Sequence, residues 1–276
     1  MGTQNSVSIS PLDDTNMAPA SSKRARQVRW TVTDGKANLV RPVVQPRPLE
    51  IAAEPRDVVF DLARSAVIVV DMQNDFLHED GWLGVRGIDF SAIWKPVAPL
   101  QAFLPAVRGA GVPVVWVNWG VRADGLDLPP NVLYLSNPGD LAIGVGDPHP
   151  TKGYGILERG SWGAAIIDEL PVEEDDIHVA KVRLSGFWGT DLDGVLRHMG
   201  VTTLLFTGVN LDRCVVTTLQ DASFLGYDCI LVDDCSATVY PEFATQSCHL
   251  MIKQLLGFVT TSSAVRGALA TLDEAP

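Results

Sequence analysis

Five short runs of apolar, largely β-branched residues constrain the fold more than any other feature of the chain. They occupy residues 66–70 (AVIVV), 112–117 (VPVVWV), 177–180 (IHVA), 203–207 (TLLFT) and 228–232 (DCILV). Near-continuous apolar runs of this length, without a polar residue at every second position, belong to strands buried on both faces. Helical spacing fills the gaps: at about 91–109, before the Gly109-Ala110-Gly111 break; near 162–169; at about 190–199, closed by Gly200; and at about 213–225, closed by Gly226. A further helix is expected near 242–256, then a short strand near 258–260 and a terminal helix. Strands alternating with helices predict an α/β fold: three αβα layers around a mostly parallel, doubly wound sheet of about six strands, joined by right-handed crossovers.

Residues 1–56 read differently. They are rich in Ser, Thr, Pro and Asn, carry the basic cluster Lys23-Arg24-Ala25-Arg26, and lead through Pro42, Pro46 and Pro48 into the patterned region. The expectation is a flexible or loosely docked N-terminal extension on a single domain spanning 57–276. No internal repeat is present.

Charge narrows the partners. Lys and Arg total 21 against 33 Asp and Glu, a formal net charge of −12. A surface so acidic repels phosphate backbones and anionic lipid, so nucleic acid and membrane are not expected partners and a small molecule is. No apolar run reaches the roughly 18 residues of a membrane helix, and no basic-then-apolar leader is visible, so the expected compartment is the cytoplasm. Four cysteines, at 214, 229, 235 and 248, fit neither a disulfide framework nor zinc-ligand spacing, and reduced thiols are expected. Cys229, Cys235 and Cys248 read as small apolar filler. Asp147-Pro148-His149 lies in a Gly/Pro stretch and reads as a turn. No metal and no cofactor are predicted.

In an open α/β sheet, ligands gather at the carboxyl ends of the strands. Those ends deliver Asp71, Lys181 and, at the start of a helix, Cys214. A thiol becomes a good nucleophile when ionised, which a helix N-terminus and a nearby ammonium favour, while a carboxylate can take the thiol proton and pass it to a leaving amine. The same strand ends place Gln73, Phe76, Asn118, Trp119, Arg183, Phe187 and Trp188 as candidate substrate-binding residues. Arg183, two residues beyond Lys181 on the same face, suits a substrate carboxylate or carbonyl. Trp82 and Trp162 are open between pocket wall and core.

These residues also carry a resemblance. The stretch 69–76 (VVDMQNDF), Lys181 opening Lys-x-Arg-x-Ser-Gly-Phe, and Gly208-x5-Cys214-Val215 resemble the isochorismatase-like cysteine hydrolases, most closely the ureidoacrylate amidohydrolase and biuret/triuret hydrolase branch. Gly160-Ser161-Trp162 and the segment 220–243 add to the likeness, which covers roughly residues 60–260. The resemblance implies a catalytic Asp71–Lys181–Cys214 triad: Asp71 as base then acid, Lys181 holding the ion pair and favouring thiolate, Cys214 as nucleophile. It further implies a cis peptide at Val209–Asn210, an oxyanion hole from the backbone N–H groups of Asn210 and Cys214, and a homodimer or homotetramer.

The implied activity is hydrolysis of an amide or ureido C–N bond through a thioester, with release of ammonia or an amine. Two alternatives stay open: a larger or cationic amide or lactam substrate, and a catalytically idle member serving as a binding module. Isochorismate-type vinyl-ether hydrolysis is disfavoured, because that branch lacks the nucleophilic cysteine. The chain departs from the branch in Asn210-Leu211-Asp212-Arg213 and in 118–122. Beside Cys214, Arg213 either lowers the thiol pKa or points outward to bind substrate.

Overall fold

The computed structural model describes residues 30–41, 43–140 and 142–273. They divide into two compact units, Met1–Val43 and Val44–Pro276. Of the expected extension, residues 1–29 lie outside the described residues. In the first unit, β1 (Thr31–Thr33) and β2 (Lys36–Asn38) form an antiparallel hairpin with every side chain exposed. Asp34 and Gly35 link them with φ of 51° and 73°, the left-handed pair that a two-residue type I′ turn requires.

The second unit starts ahead of the expected boundary at 56/57. β3 (Pro48–Ile51) pairs antiparallel with β4 (Val58–Asp61), setting Leu49 opposite Phe60. Leu49 and Ile51 are each 2% exposed while Pro48 and Glu50 face outward. That two-residue period ties the segment into the domain, and the proline-rich lead-in masked it.

Six parallel strands form the central sheet: β5 (Ser65–Val70), β6 (Val114–Trp119), β7 (Ile177–Lys181), β8 (Thr203–Val209), β9 (Asp228–Ala237) and β10 (Gly257–Thr260), in the order β10-β9-β8-β5-β6-β7. β5 and β8 are buried at every position, as their apolar runs require. Helices flank the sheet: α1 (Asn74–Leu77), α2 (Trp82–Val85), α3 (Ser91–Trp94), α4 (Val97–Gly109), α5 (Pro130–Ser136), α6 (Leu192–His198), α7 (Val216–Phe224), α8 (Glu242–Met251) and α9 (Ser262–Asp273). α4 packs on α9. No helix among the described residues is long and apolar enough to cross a membrane.

From β5 the chain builds outward through β6 to β7, then returns to the other side of β5 and continues through β8, β9 and β10. The switch point therefore lies between β5 and β8, the place where open α/β sheets bind ligands beyond the strand ends. Gly208 makes that junction close. At its φ of 102°, a Cβ would run into the Val70 carbonyl.

Three helix expectations change. The stretch 91–109 breaks into α3 and α4 at Lys95-Pro96. The stretch 242–256 continues past α8 as a π-helical turn, Ile252–Leu256. No helix forms at 162–169. Its carbonyls are taken by the segment after β5 instead: Trp162 O accepts from Asn74 Nδ2 (2.8 Å), Gly163 O from Asp75 N (2.8 Å) and Ala165 O from Asn74 N (2.9 Å). Long-range partners outcompete the i→i−4 ladder.

Candidate active site

Asp71 follows β5 directly, in a left-handed conformation (φ 53°). Its Oδ1 accepts a hydrogen bond from the Trp119 N–H at 3.1 Å, and its Oδ2 lies 2.9 Å from Lys181 Nζ. The side chains of Lys181 and Asp71 are 0% and 1% exposed. β7 is an edge strand, two positions from β5, so the Lys181 stem must cross the end of β6. It does so over Trp119: Nζ lies 4.4 Å from the ring centroid and also donates to the Arg183 carbonyl at 3.2 Å. A buried ammonium is tolerated when paired and hydrogen-bonded, and this one has an anion, a carbonyl and an aromatic face.

Cys214 sits 6% exposed in a π-helical turn, Leu211–Val215, that precedes α7. Its thiol lies beside the Asp71 carboxyl and the Trp119 side chain, both of which act on its ionisation. The peptide Val209–Asn210 is cis, as the resemblance implies. Asn210 Oδ1 accepts from Val239 N at 3.1 Å, and Thr238 Oγ1 donates to Asp212 Oδ1 at 2.5 Å, so the turn is tied to the chain following β9.

The protonation pattern departs from the expected thiolate. Burial, then the neighbouring Asp71 charge, pushes the Cys214 pKa up to about 12 against the opposing pull of Lys181. Burial also raises the Asp71 pKa, with Lys181 and then the thiol hydrogen bond working the other way. Burial thus raises both members of the pair, and the Lys181 ammonium opposes both shifts.

The expected pocket residues divide. Trp119 is at the cluster through both its N–H and its ring. The adjacent Asn118 keeps a buried Oδ1 with no hydrogen-bond partner among the described residues. Arg183 turns its guanidinium to the carbonyls of Asp127 (3.3 Å) and Val182 (2.9 Å). Phe76 is buried and meets Trp82 edge-on at 6.0 Å.

Gln73 is structural. Its amide donates to Trp119 O (2.8 Å) and Ala164 O (2.7 Å) and accepts from Trp119 N (2.9 Å), which leaves little for a substrate. Phe187 and Trp188 do not line the cluster. Phe187 packs against Tyr227, at the amino end of β9 and so at the opposite end of the sheet. Trp188 is 66% exposed with its indole N–H on Asp221 of α7. The chain past Lys181 follows α7 away from the strand ends, anchored by the Gly186 N–H on Thr218 Oγ1 at 3.0 Å, a path that spacing does not reveal.

Trp162 meets the Lys152 ammonium (4.2 Å) and the His78 ring (4.8 Å). Asp147 and His149 form the expected turn: Asp147 Oδ2 accepts from Gly144 N at 2.6 Å, and the His149 ring bonds the Asp80 carbonyl at 2.8 Å. Sequence reading passed over Asp75, a buried carboxylate that braces Leu157 N (2.7 Å) and Trp82 N (3.2 Å). The Thr238–Tyr240 segment entered it only within the likeness over 220–243, with no role given to Thr238. No local pattern marks either, because both act on partners far away in sequence.

Residues 65–264 match the sequence model of the isochorismatase domain. The chain belongs to the isochorismatase family. Among solved structures, a cysteine hydrolase from Pseudomonas syringae pv. phaseolicola is 28% identical, with a TM-score of 0.64 over 77% of this chain and 95% of that one. An isochorismatase family protein from Desulfovibrio vulgaris is 27% identical, with a TM-score of 0.59 over 75% of this chain and 98% of its own. N-carbamoylsarcosine amidase from Thermoplasma acidophilum is 27% identical, with a TM-score of 0.55 over 72% and 96%. Members of the family are hydrolases, amidases among them, and the buried Asp71–Lys181–Cys214 cluster lies within the matched isochorismatase domain.

Proposed function

We propose that the protein is a cysteine-dependent amidohydrolase that cleaves a C–N amide or ureido bond of a small molecule and releases ammonia or an amine. One observation carries this reading: three strands bring Asp71, Lys181 and Cys214 into one buried cluster, in which the carboxyl touches both the ammonium and the thiol. The likeness to an amidase of the same family supports it.

In this reading the Cys214 proton passes to Asp71 as the sulfur attacks the scissile carbonyl carbon. A buried thiol of high pKa gains its charge only at that moment, so little thiolate is exposed to side reactions. The carbonyl electrons move onto oxygen, and the N–H groups of Asn210 and Cys214 donate to it; one such donor typically contributes about 10²–10³ in rate. On collapse the C–N bond breaks and Asp71 delivers its proton to the leaving nitrogen, leaving a thioester. Water then attacks the thioester carbon while Asp71 takes its proton. The C–S bond breaks, the sulfur recovers that proton, and the acid departs. Lys181 steadies Asp71 each time it returns to the charged form.

The test is ammonia release from ureidoacrylate, biuret, triuret, N-carbamoyl amino acids, nicotinamide, maleamate and a cationic lactam, with Cys214→Ala alongside. Release that vanishes in the variant supports the reading, and release that persists in a folded Cys214→Ala protein overturns it.

A further inference from the structure

Asp75, in α1, is a buried carboxylate that the proposed reaction leaves unused. It is 0% exposed, and no Lys or Arg pairs with it among the described residues. Its oxygens accept instead from two main-chain groups, Leu157 N at 2.7 Å and Trp82 N at 3.2 Å, with the His149 ring adding a weaker attraction. Gly163 closes over it, since a Cβ there would run into both carboxylate oxygens. Burying a carboxylate without a counter-ion is costly, and burial raises the Asp75 pKa against the pull of both N–H groups.

Leu157, the partner in the shorter of those bonds, is fully buried yet left-handed, with a φ of 57°. A bulky apolar residue adopts that conformation only where its surroundings impose it. In the second unit one other described non-glycine residue has positive φ, and it is Asp71. The two flank a single segment. Trp119 N donates to Asp71 Oδ1 at 3.1 Å, Gly120 N to the Lys181 carbonyl at 3.0 Å, and Val121 N to the Leu157 carbonyl at 2.9 Å. The chain leaving β6 is therefore tied at three successive residues, and the last tie runs through Leu157 to Asp75.

We propose that Asp75 is a positioning residue: it holds Leu157 left-handed, and the Leu157–Val121 bond in turn fixes Trp119, whose N–H and ring hold Asp71 and Lys181. The proposal rests on the cysteine amidohydrolase reading and adds to it a residue outside the Asp71–Lys181–Cys214 cluster.

Asparagine at 75 keeps one acceptor and turns an NH2 group onto the other main-chain N–H. With Leu157 released, Trp119 loosens, and the Asp71 carboxyl loses a bond that favours its charged form. The readout is alkylation of Cys214 by iodoacetamide, which transfers its CH2 group to sulfur with loss of iodide, followed by peptide mass between pH 5 and pH 9. Asp75→Asn should slow it about tenfold at pH 7, the scale of one hydrogen bond to a charged group. The acid limb of the profile should move up by about one pH unit. Gly200→Ala, which lowers stability at the amino end of β8, should do neither. In the wild-type protein the amides of Trp119, Val121 and Leu157 should show closely similar protection from hydrogen exchange, because they open together. An unmoved acid limb in folded Asp75→Asn overturns the proposal. So does wild-type protection of Trp119 that differs by more than about tenfold from that of Val121 and Leu157, a measurement that needs no variant. If wild-type Cys214 reacts no faster than the other three cysteines, the amidohydrolase reading itself falls and takes the proposal with it.

Discussion

Lys181 Nζ lies 2.9 Å from Asp71 Oδ2 although their strands are separated by a third, and both side chains are sealed from solvent. Each charge in such a pair is tolerable only because of the other, and this makes their loss asymmetric. Lys181→Met is expected to cost about 3 kcal/mol at pH 7, because it strands a buried carboxylate.

That cost should shrink on acidification. Burial already raises the Asp71 pKa and Lys181 opposes the rise. Without the lysine, the folded carboxyl binds a proton more readily than the unfolded one, so stability increases as pH falls. Urea unfolding of wild type and variant at pH 7 and pH 5 measures the difference; an equal penalty at both would place the cost in lost packing.

Asp71→Asn preserves shape and removes the proton acceptor of the thiol. Loss of a positioned general base typically costs about 10²–10⁴ in rate. Both amide turnover and Cys214 alkylation should fall together. Alkylation at the wild-type rate would mean that Asp71 does not receive the thiol proton.

Alkaline pH should destabilise the fold through its thiols. Burial pushes Cys214 and Cys229 up to about 12 and Cys248 up to about 11, and raises Cys235 further. Folded-state values above unfolded ones stabilise below the unfolded thiol pKa, and that contribution is lost as pH rises past it. Above about pH 9, stability should fall by about 1.4 kcal/mol per pH unit for each thiol that stays protonated in the fold. Urea midpoints at pH 8 and pH 10 read this, and replacing Cys229 by alanine should flatten the slope.

Gly208→Ala and Gly200→Ala form a matched pair. Both positions have positive φ, but the Cβ meets open space at Gly200 and the Val70 carbonyl at Gly208. Gly200→Ala should cost about 1–2 kcal/mol, the left-handed penalty alone. Gly208→Ala should cost several times that or prevent folding, as chemical denaturation would show.

Thr238→Val removes the hydroxyl that binds Asp212 and accepts from Tyr240 N. The Cys214 turn loses a tether without any change in the side chains of the Asp71–Lys181–Cys214 cluster. A fall in kcat of about tenfold is expected, the scale of one hydrogen bond to a charged group, with recovery in Thr238→Ser. Failure of the serine to recover would point to the methyl group.

Much of the fold was legible because burial writes itself locally. A strand covered on both faces must be apolar at successive positions, and β5 and β8 obey that along their whole length. The strand-end positions of Asp71, Lys181 and Cys214 followed from the same logic. The helix misread at 162–169 shows its limit. The segment has helical composition, but Asn74 and Asp75 claim its carbonyls from far away in sequence.

The sequence by itself determined an α/β sheet of parallel strands and the residues delivered to its carboxyl edge, since both depend on side-chain periodicity within a few residues. Only the tertiary structure decided which edge residues meet. Strand order sets Lys181 two strands from Asp71 and makes its stem cross Trp119, and the path along α7 carries Phe187 and Trp188 away. The upward push on the Cys214 pKa likewise arises there, because burial and the neighbouring carboxylate outweigh one nearby ammonium. Desolvation depends on everything packed around a group, and no local stretch of sequence contains that information.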